Sequence, residues 1–286
     1  QALRSFLLAT AIRDLRMLNG EPGRGGVEHR TMLVNASRFT AVQNAIADQL
    51  QIELDHIRDA VRMHGKLAPA QAEAQSPRIA ALGNTFLEEF ADTGAQWADV
   101  LDALHDAIAH IRVRPVNMST KKDKLDYGAV KGPPGVRVIV VGGNSLSRGL
   151  TLEGLSTSYF LRNSRAYDTL LQMGRWFGYR SGYDDLCRLW LTDEAQGWYR
   201  HIAEATTELK ADFASMKRRK ATPKEFGLRV RAHPDTLLIT ARNKMRTGKD
   251  IEEEWDVSLI GRMVETTRLF SDKNRNQTNF DAMTNF

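Results

Sequence analysis

The chain has 286 residues, a formal net charge of +5, 42% hydrophobic residues and a single cysteine. This length allows one large domain or two modest ones, and either can bury a hydrophobic core. The lone Cys187 excludes disulfide scaffolds and CxxC zinc folds, which favours a cytoplasmic protein. No apolar run approaches about 18 residues, so we expect no transmembrane helix and no membrane partner. The chain begins at Gln1 with neither a signal peptide nor an initiator methionine, which predicts a fragment of a longer protein.

The first predicted elements are a helix, a strand and a second helix. Apolar side chains recur at spacings of three and four over residues 2–17, as in an amphipathic helix. After a glycine-rich loop, Thr31–Asn35 has the short apolar pattern of a buried strand. We expect Ser37 or Thr40 to cap a helix that runs to about His64.

Residues 68–111 are predicted to be a helical insertion. One apolar face is formed by Ile79, Leu82, Phe86, Leu87 and Phe90, and a second by Trp97, Leu101, Leu104, Ile108 and Ile111. Such an insertion is either a packed lid or a docking platform for a partner protein.

The second half of the chain alternates strands with helices. We predict strands over residues 113–118, 136–141, 157–161 and 186–191, and helices over 167–177 and from Asp193 to about Met216. The strand at 136–141 is almost entirely β-branched, which is typical of a parallel strand covered on both faces. This order predicts a three-layer α/β domain with a mostly parallel sheet over residues 1–225. A partly irregular C-terminal extension over 226–286 would follow.

The excess positive charge is concentrated in one segment. Residues 210–231 contain eight basic and two acidic side chains, so the rest of the chain is nearly neutral. Such a segment predicts contact with nucleic-acid phosphates, and the alternative is a solvated helix end. The candidate DNA-binding residues in it are Lys217, Arg218, Arg219 and Lys220.

Polar residues cluster in three segments that follow predicted strands. These segments are Asn35–Arg38, Gly142–Leu152 and Gln172–Arg180. Ligands of parallel sheets gather at the carboxyl ends of strands, so all three segments are candidate sites. Arg175 and Arg180 suit phosphate oxygens, although they could instead form structural ion pairs. The turn at 147–149 offers a hydroxyl, a cation and a free backbone N–H group, as phosphate sites do.

Together the three segments resemble motifs IV, V and VI of the second RecA-like domain of superfamily 2 helicases. The resemblance is closer still to the Z-one domain, on the strings QMGRWFGYR, NSLSRGLTLEGL and HPDTLLITARNKM. In helicase-like motor proteins this domain follows a DEAD-type ATPase domain. Such motors accompany bacterial restriction and anti-phage systems, including ATP-dependent restriction endonucleases of the CglI type. The resemblance covers roughly residues 1–245 and implies a RecA-like fold.

The resemblance also implies roles for individual residues. Arg175 or Arg180 would be the arginine finger that reaches the ATP γ-phosphate. The family motif has its second arginine three residues after the first, whereas here Gly178 holds that place. The residues that would lie at the nucleotide are Gln172, Gly149 and Thr151. The residues that would contact the DNA backbone are Ser37, Arg38, Asn144, Ser147 and Arg148.

Two ATPase motifs are absent from the 286 residues. There is no G-x-x-x-x-G-K-[ST] phosphate loop and no acidic strand-end pair that could hold Mg²⁺. We therefore expect no ATP hydrolysis by this chain alone. ATP with Mg²⁺ would be bound jointly with an N-terminal RecA-like domain of the same protein. The other expected partners are double-stranded DNA and the nuclease subunit of a restriction complex.

Two other functions stay open at this point, a DNA endonuclease domain and a docking platform for a nuclease subunit. Asp235 followed by Lys244 resembles a PD-(D/E)xK nuclease core, but Arg242 stands where an acidic residue belongs. The seven histidines are scattered along the chain, so the sequence predicts no metal site.

Overall fold

The structure is a computed structural model. It describes residues 1–20, 28–116, 125–128, 130, 132, 134–143, 152–161, 167–174 and 182–220, together with 276, 277, 280, 281 and 284. The chain divides into two compact units, residues 1–244 and 245–286. All the strands and helices named below belong to the first unit.

In the described ranges, five parallel strands form one sheet. They are β1 (Arg30–Asn35), β2 (Arg112–Val116), β3 (Arg137–Gly142), β4 (Leu155–Phe160) and β5 (Arg188–Leu191). Their spatial order is β2-β3-β1-β4-β5, so β1 is the central strand, with β3 and β4 on either side. Every residue of β1 and β3 is buried, as expected for parallel strands covered on both faces. The predicted α/β class with a parallel sheet is confirmed.

Among the described residues, seven α-helices cover the two faces of the sheet. They are α1 (Ala2–Leu18), α2 (Thr40–His64), α3 (Pro69–Gln75), α4 (Pro77–Glu89), α5 (Trp97–Ala109), α6 (Tyr167–Gly174) and α7 (Asp193–Arg219). Met32 and Val34 of β1 share a core with α1 to α5, whereas the intervening Leu33 shares a second core with α6 and α7. Because successive strand residues face opposite sides, these two cores define a three-layer RecA-like fold.

Helix α1 is buried on nearly every side rather than on one stripe. Phe6, Leu7 and Leu8 are consecutive and fully buried, which a helix with one exposed face cannot achieve. The helix contacts β4 on one side and α4 and α5 on the other. The insertion therefore covers α1 and completes the core of this layer.

Residues 68–111, predicted to be helical, contain α3, α4 and α5. On α4 the buried apolar stripe contains Ile79, Leu82 and Phe86. Leu87, predicted to lie on the same face, is 66% exposed, so that part of the prediction is wrong. One residue advances a helix by about 100°, which moves Leu87 out of the stripe that Phe86 occupies.

The predicted side-chain cap of α2 is also wrong. The N-cap residue is Phe39, and no side chain caps the helix. The Ser37 hydroxyl instead accepts a hydrogen bond from the Phe39 backbone N–H at 3.1 Å. Ser37 thus organises the turn before the helix, and Thr40 begins the helix itself.

A cluster of buried charges lies at the amino edge of the sheet. Arg30 and Arg137 begin β1 and β3, and both are almost completely buried. The Asp14 carboxylate of α1 bridges them, with one oxygen 3.0 Å from Arg30 and the other 2.6 Å from Arg137. Burial lowers the pKa of Arg30, and the Asp14 charge opposes this shift. One carboxylate thus links α1 to the two most buried strands.

Arg13 connects α1 to residues that precede two further strands. Its guanidinium donates to the Gly154 carbonyl at 3.0 Å and lies 3.7 Å from the centre of the Tyr183 ring. Gly154 precedes β4, and Tyr183 precedes β5. Burial, and then the neighbouring Arg30 charge, lower the pKa of Arg13 to about 9. A guanidinium placed here fixes the amino ends of the strands relative to α1.

Gly154→Ala should destabilise the chain by at least about 3 kcal/mol. Gly154 has φ +66°, and a Cβ atom would lie 1.8 Å from the His29 carbonyl oxygen, which is backbone and cannot rotate away. The matched control is Gly20→Ala, because Gly20 has φ +65° with no atom near the added Cβ. That variant should lose about 1 kcal/mol. Urea unfolding of both variants measures the difference, and equal losses would contradict the clash.

Candidate functional site

The carboxyl ends of three neighbouring strands meet at the centre of one edge of the sheet. β1 lies between β3 and β4, and all three run in the same direction. The three predicted site segments follow these same strands: one after β1, one after β3, and one on and after α6, which follows β4. The first two segments, which are distant in the chain, therefore begin side by side at this edge, whereas the third begins at Gln172, near the end of α6.

The connections that follow β1 and β4 leave this edge toward opposite faces of the sheet. β1 leads into α2 on one face of the sheet, whereas β4 leads into α6 on the opposite face. The last bond between the strands joins the Leu161 N–H to the Asn35 carbonyl at 3.0 Å. In open α/β sheets, ligands bind where adjacent connections leave to opposite faces. The position between the carboxyl ends of β1 and β4 is therefore where a ligand is expected.

The turn between β1 and α2 packs tightly against the end of β3. The Ser37 carbonyl accepts a hydrogen bond from the Gln43 side-chain amide at 3.0 Å. A Cβ atom on Gly143 would lie 2.8 Å from that amide nitrogen and 3.0 Å from the Ser37 carbonyl oxygen. Glycine permits this approach, which places the residue just before Asn144 against Ser37 and Arg38.

Arg38 offers an available positive charge beside this turn. Its side chain is exposed and forms no ion pair with the described residues. The guanidinium lies 4.8 Å from the centre of the Phe39 ring. The first turn of α2 contains no acidic residue, so the positive end of the helix dipole is not neutralised there. This corner of the domain favours an anion.

Two buried amide side chains at this edge have polar atoms without a hydrogen-bond partner in the described part of the structure. Asn35 is fully buried, and neither its amide nitrogen nor its oxygen has a partner. Gln43 is 4% exposed, and its side-chain oxygen is likewise unpaired. Sequence analysis placed Asn35 in a site segment without a role and missed Gln43. The available signal was a polar residue on the inward face of the first turn of α2.

Asn35→Leu should leave the free energy of unfolding unchanged or raise it by about 1 kcal/mol. The reason is that an unpaired buried amide costs about 1–3 kcal/mol, and a similarly shaped apolar side chain removes that cost. The control is Thr31→Val on the same strand. Thr31 is equally buried, but its hydroxyl bonds Tyr127 and the Glu153 carbonyl. That variant should lose about 1–2 kcal/mol, and a similar loss for Asn35→Leu in urea unfolding would refute the assignment.

Gln172 is the described site residue on α6. It is half-buried and follows Leu171, which is 52% exposed, while Leu170 and Met173 pack into the core beneath. The remaining residues predicted for the nucleotide and the carboxyl edge lie outside the described residues, so their roles stay predictions. They are Asn144, Ser147, Arg148, Gly149, Thr151, Arg175 and Arg180.

The basic cluster lies away from the carboxyl edge. α7 begins just past the carboxyl end of β5, and the last buried residue described on this helix is Ala205. Lys220 is 15 residues further on, which is about 20 Å along a helix leading toward the opposite edge. Lys217, Arg218 and Lys220 are exposed, and the side chain of Arg219 lies outside the described residues. The structure therefore does not bring this cluster to Ser37 and Arg38.

Comparison with known proteins identifies the family. The family model of the Z1 domain matches residues 1–238, which include every strand and helix described above. The chain belongs to the Z1 domain family. No curated protein and no solved structure matches it. A Z1 domain is consistent with a helicase-like component of a restriction system.

The described part of this Z1 domain offers no metal centre. Among those residues, no group of three or more His, Cys, Asp or Glu side chains could hold a metal ion. Asp235, Arg242 and Lys244, the residues considered for a nuclease core, lie outside the described residues. No helix in the described ranges has the length and apolar character needed to cross a membrane.

Proposed function

We propose that this Z1 domain is the C-terminal RecA-like half of an ATP-dependent translocase on double-stranded DNA in a bacterial restriction system. One observation carries the proposal. The three motif-bearing segments follow β3, β1 and β4, the three adjacent strands at the centre of the sheet. A domain of this kind presents one composite edge to a nucleotide and to a nucleic-acid strand.

ATP with Mg²⁺ binds between this domain and an N-terminal RecA-like domain. That partner supplies the phosphate loop and the acidic box, which the 286 residues lack. Arg175 or Arg180 supplies the arginine finger, since a guanidinium fork suits the γ-phosphate oxygens. Gln172, together with Gly149 and Thr151, lies at the nucleotide. Closing and reopening of the cleft during hydrolysis moves the protein along the duplex.

DNA backbone contacts come from two separate places. At the carboxyl edge, Ser37 and Arg38 contact phosphates with Asn144, Ser147 and Arg148, and the unpaired charge of Arg38 supports this role. The exposed basic cluster at the end of α7 makes a second contact on another side of the domain. The nuclease subunit of the restriction complex is the remaining partner.

Neutralising the basic cluster should weaken DNA binding and flatten its salt dependence. The variant is Lys217→Gln, Arg218→Gln and Lys220→Gln combined, in the 286-residue chain. Each duplex phosphate contact contributes about 0.9 to the slope of log affinity against log salt, so up to three lost contacts lower the slope by up to about 2.7. Fluorescence anisotropy with a 20-base-pair duplex at several salt concentrations measures this slope.

The control removes two exposed charges elsewhere, with Arg62→Gln and Lys66→Gln combined. Both side chains are more than 60% exposed and pair with nearby aspartates. This control should leave the slope unchanged. If the basic-cluster variant also retains the original slope, that cluster is a solvated helix end rather than a DNA contact.

A further inference from the structure

Phe39 is a large aromatic side chain left 58% exposed at the carboxyl edge of the sheet. It lies between Arg38 and the first turn of α2, where Val42 is a further exposed apolar residue. No role in capping explains the ring, because the N-cap position it occupies has no side-chain hydrogen bond. An aromatic ring on a connecting turn beside an expected ligand position is a candidate contact residue.

The turn that carries Phe39 is held in place from several sides. The Phe39 N–H donates to the Ser37 hydroxyl at 3.1 Å, and the Phe39 carbonyl accepts from the Gln43 N–H at 3.0 Å. The Gln43 side-chain amide in turn donates a hydrogen bond to the Ser37 carbonyl oxygen at 3.0 Å. The ring is therefore presented on an ordered backbone, which lowers the entropy lost when a ligand stacks on it.

The surroundings of the ring select a negatively charged ligand with a flat, apolar group. Arg38 forms no ion pair with described residues, and its guanidinium lies 4.8 Å from the ring centre. The first turn of α2 has no acidic side chain. Gln43, 96% buried in that same turn, has a side-chain oxygen with no hydrogen-bond partner among the described residues. A nucleotide unit combines a phosphate for Arg38 with a π-face for Phe39.

We propose that Phe39 is a base-stacking residue, on which one unstacked base of a bound DNA strand packs while an adjacent phosphate pairs with Arg38. The inference rests on the proposed function, because it needs a DNA-binding carboxyl edge. A base inside an intact duplex has both faces covered by its neighbours and cannot stack on a side chain. The domain therefore separates or distorts base pairs where it binds rather than only following the duplex backbone.

The test compares single-stranded and duplex DNA with the 286-residue chain. Fluorescence anisotropy gives the dissociation constants for a labelled 20-nucleotide strand and for the matched 20-base-pair duplex. Phe39→Ala should weaken single-strand binding by about 5- to 150-fold, the usual range for loss of one stacked base. Phe39→Ala should raise the dissociation constant for the intact duplex by less than about twofold. Phe39→Trp should bind the single strand at least as tightly as the unaltered chain.

The salt dependence of DNA binding distinguishes a stacking contact of Phe39 from an ionic contact of Arg38. Arg38→Ala should lower the slope of log affinity against log salt by about 0.7, whereas Phe39→Ala should leave this slope unchanged. A 2-aminopurine base in the strand should change its fluorescence on binding to the unaltered chain, and this change should be lost in Phe39→Ala. The matched control is Phe280→Ala, since Phe280 is 59% exposed and lies in the other compact unit. It should behave like the unaltered chain.

Failure of the proposed function and failure of the stacking role give different results. If the unaltered chain binds neither DNA at low salt, the proposed function is contradicted, and the inference with it. If it binds DNA but Phe39→Ala loses nothing on the single strand, or loses equally on both DNAs, the stacking role is contradicted and the proposed function survives. Thermal melting of every variant confirms that an exposed substitution has left the fold intact.

Discussion

Arg175→Ala or Arg180→Ala, in the full-length protein that contains this Z1 domain, should lower the rate constant of ATP hydrolysis by about 10³- to 10⁵-fold. An arginine finger stabilises charge that develops on the γ-phosphate in the transition state, so its loss affects the chemical step most. The dissociation constant for ATP should change far less than the rate constant. Single-turnover hydrolysis with radiolabelled ATP measures that step directly.

Two comparisons of the hydrolysis rate show which of Arg175 and Arg180 is the arginine finger. The variant with the larger loss identifies the finger, and lysine at that position should not restore hydrolysis, because an ammonium group cannot form the bidentate fork. Arg200→Ala is the matched control, since Arg200 is an exposed arginine on α7, a helix that contains none of the residues predicted to lie at the nucleotide. It should hydrolyse ATP at the unaltered rate. Full activity in both Arg175→Ala and Arg180→Ala would refute the assignment.

Asp14→Asn should destabilise the chain by about 3–5 kcal/mol, the usual cost of removing one partner of a buried ion pair. The substitution leaves the guanidinium groups of Arg30 and Arg137 buried without their shared counter-charge. Arg13 lies beside them, and the Arg30 charge already lowers its pKa. Repulsion among the three therefore adds to the loss. Urea unfolding monitored by circular dichroism measures the free energy of unfolding.

The matched control for Asp14 is Asp59→Asn, which breaks the exposed pair between Asp59 and Arg62 on α2. Both side chains of that pair are more than half exposed, so the loss should be under about 0.5 kcal/mol. A loss below about 1 kcal/mol for Asp14→Asn would mean that the buried arginines do not depend on this carboxylate.

Local sequence patterns predicted the elements of this fold well. The β-branched run at 136–141 lies within one residue of β3 at each end, and apolar spacing located α1 almost to the residue. These signals are local, because burial of a strand or a helix face depends on the side chains of that element. The three strand-end segments were found for the same reason, since each follows a recognisable strand.

Contacts between distant elements were not predictable in this way. The bridge from Asp14 to Arg30 and Arg137 joins three elements, and arginine on a strand gives no sign that it is buried. Strand order depends on crossovers that no local pattern encodes, so the central position of β1 was unknown from sequence. The direction of α7 relative to the sheet was not predictable for the same reason. This direction separates the basic cluster from Arg38.

If this Z1 domain is one half of a DNA-dependent ATPase, duplex DNA should stimulate ATP hydrolysis by the full-length protein. The decisive measurement is the rate of ATP hydrolysis by the full-length protein, with and without double-stranded DNA, beside that of the 286-residue chain alone. We expect hydrolysis that DNA stimulates in the full-length protein, and none by the chain alone. A full-length protein without ATPase activity, together with plasmid cleavage by the 286-residue chain and Mg²⁺, would refute the motor function and favour a nuclease.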